Sequence, residues 1–150
     1  ERTKANKQQL VHALRQVSGI ELSPVFGTER DLGVSLIFYV KDGTSAHWVS
    51  RALTAEGIPA FHVYDPQEKD QHIYINWEFL VGKRDPWGGS YPWSLHPARE
   101  MDYSQDSCPR SLGLLNRAVQ IHLNHLATEE DRKDILAAIR KVTAHLGSGR

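Results

Sequence analysis

A chain of 150 residues, 40% of them apolar, is long enough to bury one sizeable core and too short to make two comfortable. Eighteen basic and eighteen acidic side chains cancel, which removes the electrostatic footprint that a nucleic-acid backbone or an anionic membrane surface selects, so neither is expected as a partner. The lone Cys108 cannot close an internal disulfide and no apolar run approaches a membrane span, a combination that fits a cytoplasmic setting.

Residues 1–150 are accordingly read as a single domain. Behind the polar stretch Arg2 to Gln9, the residues Leu10, Val11, Leu14 and Val17 recur at helical spacing and predict an amphipathic helix ending near Gly19. A chain whose first residue, Glu1, already stands at an apparent helix reads as a fragment of a longer protein, and no signal peptide is expected. Val34 to Val40 is nearly continuous in apolar and β-branched character, the pattern of a strand buried on both faces. Asp42-Gly43 turns the chain, Ser45 is the expected cap of a second helix with Val49, Ala52, Leu53 and Ala55 inward, and Gly57 terminates it. A strand from Pro59 to Tyr64 follows, in which the two-residue period sets Ala60, His62 and Tyr64 on one face and Phe61 and Val63 on the other.

From Asp65 to Asp106 periodicity fails, and Trp77, Trp87, Tyr91, Trp93 and Tyr103 are scattered among Pro86, Gly88, Gly89, Pro92 and Pro97. Residues 65–107 are read as an aromatic-rich loop excursion, either a satellite apolar cluster or a ligand-covering segment. Arg110 to Arg117 reads as a short helix and Ala118 to Leu123 as a strand. The last helix is the clearest: Thr128 caps a first turn of Glu129, Glu130 and Asp131, and Ile135, Ile139, Val142 and Leu146 form the inner stripe up to Gly147. The fold class expected is α/β (α+β), a compact sheet covered by helices.

Eight histidines invite a metal reading, with His122 and His125, or His62 and His72, as the pairs to nominate. No second cysteine or tight acidic cluster completes a shell around either pair, so no metal site is expected. Cys108 precedes Pro109 at a helix start but lacks the glycine-rich turn of a nucleophile, and no phosphate-binding glycine pattern occurs; no catalytic residue is assigned. What remains is a set suited to a polar, hydroxylated ligand: Tyr64, His72, Tyr74 and Trp77, with Asn76 among them and His62 leading in. Tyrosine, histidine and asparagine both donate and accept hydrogen bonds, and an indole packs on the apolar face of a sugar ring. Spacing alone equally allows these to be aromatic core residues with satisfied polar tips.

Gly57-Ile58-Pro59-Ala60-Phe61-His62-Val63-Tyr64, then Asp70-Gln71-His72-Ile73-Tyr74, Cys108-Pro109-Arg110-Ser111, Arg117-Ala118-Val119-Gln120-Ile121 and Thr128-Glu129-Glu130-Asp131 resemble, in order and spacing, the C-terminal third of the DegT/DnrJ/StrS sugar aminotransferases. The resemblance covers most of the chain and implies the small C-terminal domain of a fold-type-I pyridoxal-phosphate-dependent transferase acting as a homodimer. It implies transfer of an amino group from glutamate, or glutamine, to a keto sugar, commonly nucleotide-linked, with the cofactor carrying the bond-making chemistry. The lysine of that chemistry and the cofactor's binding residues would belong to a preceding large domain, so Lys41 and Lys83 do not inherit the role, this fragment alone is expected to be inactive, and the cofactor contacts of this chain are left unassigned. The resemblance also sets His72 beside the substrate. Where the family often carries Leu-Pro-Leu-His-Pro, this chain has Ile121-His122-Leu123-Asn124-His125, with Asn124 in the place of the histidine. Two other readings stay open: a non-catalytic ligand-binding or regulatory domain of ferredoxin-like order, and a family member that lacks the lysine.

Overall fold

The computed structural model describes residues 1–65, 67–95, 103–104 and 107–146; Pro97, Asp106 and Gly147, used above as markers, lie outside them. The chain divides into two compact units, Glu1–Val63 with Asn116–Arg150, and Tyr64–Leu115.

In the first unit, helix α1 (Arg2–Leu14) turns Leu10 and Leu14 inward, as their four-residue spacing requires. Its buried Asn6 is satisfied on both sides, donating to the Ala127 carbonyl at 3.1 Å and accepting from Arg132 at 2.8 Å. A two-residue strand, β1 (Glu21–Leu22), then pairs with β2 (Ser35–Tyr39), α2 spans Gly43–Ala55, β3 Ala60–His62, β4 Ala118–His122 and α5 Glu129–Ala144. The sheet is antiparallel throughout, in the order β1-β2-β4-β3.

Register decides which side chains share a face. Leu36 stands opposite Ile121 and Phe38 opposite Val119, while Ala60 and His62 oppose the same two residues of β4 from the other side. These side chains, with Leu10 and Leu14 of α1, Val49 and Leu53 of α2 and Ile135, Ile139 and Val142 of α5, form the core cluster, His62 lying buried on the same face. The fold is α+β, one sheet face covered by helices.

The expectation that β2 is buried on both faces is corrected. Its burial alternates, with Leu36 and Phe38 buried and Ser35, Ile37 and Tyr39 half-buried, because the sheet is antiparallel and α1, α2 and α5 pack on the face of Leu36 and Phe38. The cap of α2 is Asp42 rather than Ser45: the carboxylate accepts the Ser45 backbone N–H at 2.8 Å, and that bond holds the Asp42 carboxyl below its ordinary range. Gly33, between β1 and β2, has φ +72°, and a Cβ there would stand 2.5 Å from the Lys4 backbone, so the close approach to α1 needs glycine. The cap of α5 agrees with the sequence and extends to a reciprocal capping box between Thr128 and Asp131.

The second unit, Tyr64–Leu115, holds short turns of helix: a 3₁₀ turn at Tyr74–Asn76, α3 at Glu78–Val81, a second 3₁₀ turn at Trp93–Leu95, and α4 at Pro109–Asn116, whose last residue enters the first unit. The segment expected to be irregular thus contains local helical structure, with Ile73 and Leu112 as the buried apolar residues among those described.

Candidate functional site

Four of the residues expected to meet a sugar, His72, Tyr74, Asn76 and Trp77, lie on one short loop organised around Asp70. The Asp70 carboxylate accepts the His72 backbone N–H at 2.8 Å and the His72 ring Nδ1–H at 2.7 Å. These bonds hold the Asp70 carboxyl below its ordinary range, the backbone N–H contributing most. The Asp70 carbonyl accepts from the Asn76 side chain at 2.8 Å, the Trp77 indole N–H donates to the Gln71 carbonyl, and the Tyr74 hydroxyl donates to the Ser104 carbonyl at 2.7 Å.

The polar tips of Tyr74, Asn76 and Trp77 are therefore used to shape the loop. His72 differs. A carboxylate only accepts, so the ring proton facing it sits on Nδ1, and Nε2 points away from Asp70 on a side chain that is 96% exposed. Beside it in sequence, the Trp77 ring stacks on Phe79 with centroids 6.0 Å apart and planes 10° from parallel. An oriented imidazole and a two-ring platform on one loop can hold a hydroxylated ring by hydrogen bonding and face packing.

Tyr64 is placed differently from its expectation. β3 ends at His62, the Val63 N–H makes the last bond to the Ala118 carbonyl, and β4 begins at Ala118, so no strand partner remains for Tyr64. The strand alternation that set Tyr64 on the face of His62 does not reach it. Tyr64 instead opens the second unit, half-buried in a turn.

Of the remaining candidates, Cys108 and His122 have ordinary surroundings. Cys108 is exposed ahead of α4, and the His122 ring packs edge-on to Phe61 at 5.4 Å. A groove of about 580 Å³ between α5, the turn after α2 and the end of β4 is bordered by Glu56, Ile58, His122, Asp131, Asp134 and Lys141, and the Lys141–Glu56 ion pair, 2.7 Å long, stands at it. It contains none of the substrate residues expected from sequence. Sequence reasoning missed Asp70 as the partner of His72, although an Asp two residues ahead of a loop residue is a local turn signal that was available.

The architecture matches parts of known enzymes. The chain is similar to an aminotransferase, TlmJ, from Streptoalloteichus hindustanus, with a TM-score of 0.59 at 14% identity over 97% of this chain and 32% of that one. It is similar to 3-amino-5-hydroxybenzoic acid synthase, with a TM-score of 0.63 at 15% identity over 96% of this chain and 34% of that one. The sugar aminotransferase CalS13 from Micromonospora echinospora matches with a TM-score of 0.50 at 16% identity over 93% of this chain and 30% of that one. The chain has the fold of an aminotransferase segment. It spans about a third of the length of these solved structures. No family model and no curated sequence matches it. Among the described residues, no helix of this aminotransferase-like segment is long and apolar enough to cross a membrane.

Proposed function

We propose that the chain is the C-terminal small domain of a pyridoxal-phosphate-dependent sugar aminotransferase of the DegT/DnrJ/StrS kind, which moves an amino group from glutamate or glutamine to a keto sugar, commonly nucleotide-linked. The observation that carries this reading is fold likeness over nearly the whole chain to an aminotransferase and a sugar aminotransferase, each about three times its length. The succession of motifs from Gly57 to Asp131 supports it from the sequence side. In this reading the protein is a cytoplasmic homodimer, and Tyr64, His72, Tyr74 and Trp77 serve the sugar.

The residues of this chain do not by themselves fit the cofactor. A Schiff base needs a lysine amine sheltered in a site, and all seven lysines of the chain lie outside the buried set. Lys7, Lys69, Lys133 and Lys141 pair with carboxylates, Lys4 donates to the Glu29 carbonyl, and Lys41 and Lys83 are exposed. The domain's part is to position substrate.

The test is direct. Purified chain mixed with pyridoxal phosphate and reduced with borohydride should give no stoichiometric adduct at a single lysine. Such an adduct would overturn the assignment of the lysine to another domain. Reading the coding sequence upstream of Glu1 separates the alternatives: a large α/β domain with a loop lysine supports the enzyme, while its absence favours a ligand-binding or regulatory domain, or a lysine-less relative.

A further inference from the structure

We propose that His62 and His47 are the protein ligands of a site for a divalent first-row transition cation within the sheet-and-helix unit. His62 ends β3 on the covered face of the sheet, opposite Val119, and is 8% exposed. Its Nε2 lies 2.6 Å from the backbone oxygen of Asn116. A carbonyl oxygen only accepts, so Nε2 carries the proton and Nδ1 of the neutral ring holds an in-plane lone pair. Among the described residues that buried Nδ1 has no hydrogen-bond partner. Buried polar atoms are paired in the great majority of cases, so a buried ring nitrogen left open points to a ligand.

The second ligand comes from α2. The His47 ring stands edge-on to His62, centroids 6.3 Å apart and planes at 73°, and one ligand-capable nitrogen of each residue lies within 4.8 Å of the other's. Two imidazole nitrogens on one tetrahedral Zn²⁺, each at about 2.0–2.1 Å, are roughly 3.4 Å apart. A side-chain rotation of the half-buried His47 would bring one of its nitrogens to that spacing from the open Nδ1 of His62.

The supporting shell is already built. Metal-bound histidines donate their second ring N–H to a carboxylate, a backbone carbonyl or water, which fixes the tautomer, and the Asn116 carbonyl does this for His62. The start of α2 is also held close to that residue: a Cβ on Gly43 would stand 2.4 Å from the Asn116 side chain, so the helix carrying His47 and the carbonyl orienting His62 meet at Gly43. Two neutral imidazoles select Zn²⁺, Co²⁺, Ni²⁺ or Cu²⁺ over the hard cations that prefer oxygen. Neither histidine pair nominated from sequence is this one, because the contact joins a helix to a strand fifteen positions on.

The experiment titrates Co²⁺, and separately Zn²⁺, into the whole 150-residue chain free of any histidine tag. The expected result is one Co²⁺ per chain with visible d–d bands that Zn²⁺ displaces, and a thermal midpoint that rises with added Zn²⁺. His47→Ala, at a half-buried helix position, should keep the far-ultraviolet circular dichroism of the parent and weaken binding by about tenfold or more. His62→Gln should do the same, while the double variant His122→Ala/His125→Ala should bind as the parent does. Absence of one-to-one binding, or binding that His47→Ala leaves unchanged, would overturn the proposal.

Discussion

The sheet-and-helix unit draws one buried cluster from α1, α2, α5 and strands β2, β3 and β4, whereas Tyr64–Leu115 buries Ile73 and Leu112 among its described residues and leaves Phe79, Trp87 and Tyr91 exposed. The first is held by apolar area, the second by local polar bonds such as those that gather His72 and Asn76 onto Asp70. Regions ordered by a few exposed bonds sit at the low end of local stability, and ligand-binding loops are drawn from that end. The difference teaches where substitutions should show as lost stability and where as lost function.

The largest effect is expected at the centre of the apolar unit. Ile139→Asp places an unpaired carboxylate at a fully buried position and should cost about 3–5 kcal/mol or prevent folding, whereas Lys133→Asp, which turns the exposed i,i+4 pair with Glu129 into a like-charge one, should cost far less. Chemical denaturation of both variants checks this; equal midpoints would mean that the inner face of α5 is misassigned. Gly33→Ala comes next, at roughly 1–3 kcal/mol, since a side chain there meets both positive φ and the Lys4 backbone. A midpoint equal to that of the parent would break the close approach of this loop to α1.

The cap of α5 gives a smaller effect. Thr128→Ala should cost about 1 kcal/mol by removing the bond to the Asp131 N–H. Asp131 adds a pH dependence whose sign is set by its hydrogen bonds. The backbone N–H and hydroxyl of Thr128 hold its folded carboxyl below the ordinary 3.8, so its stabilisation is present above that value and disappears as pH falls through the folded one. The thermal-midpoint gap between the parent and Asp131→Asn should therefore be open at neutral pH and close in acid; a gap independent of pH would remove the carboxylate from the cap.

How much was legible follows the same division. Thr128, Asp131 and the Ile135-Ile139-Val142 stripe are neighbours on one helix, so local spacing carries their roles. Asp42 outranked Ser45 as a cap because its carboxylate reaches the Ser45 N–H, a choice that composition alone leaves open. Two-residue β1 is too short to show a period, and its pairing with Phe38 and Tyr39 is purely tertiary. Alternation was read correctly through Ala60, Phe61 and His62, and failed at Tyr64 because the strand ends where its partner begins. The contact of His47 with His62 crosses from helix to strand and leaves no local signature.

The smallest stability effect is expected at His72, whose side chain is almost wholly in solvent: His72→Ala should move the thermal midpoint by no more than about 0.5 kcal/mol equivalent. That same substitution, made in the full-length protein and assayed with a keto sugar as the proposed function requires, tests most directly the division between a stabilising unit and a loop proposed to face substrate. The account predicts kcat/KM lower by about tenfold or more, the scale of one lost transition-state hydrogen bond, with the cofactor's absorbance and the thermal midpoint unchanged. Parent-like kinetics with the native sugar would contradict it and leave the Asp70–Trp77 loop as surface architecture.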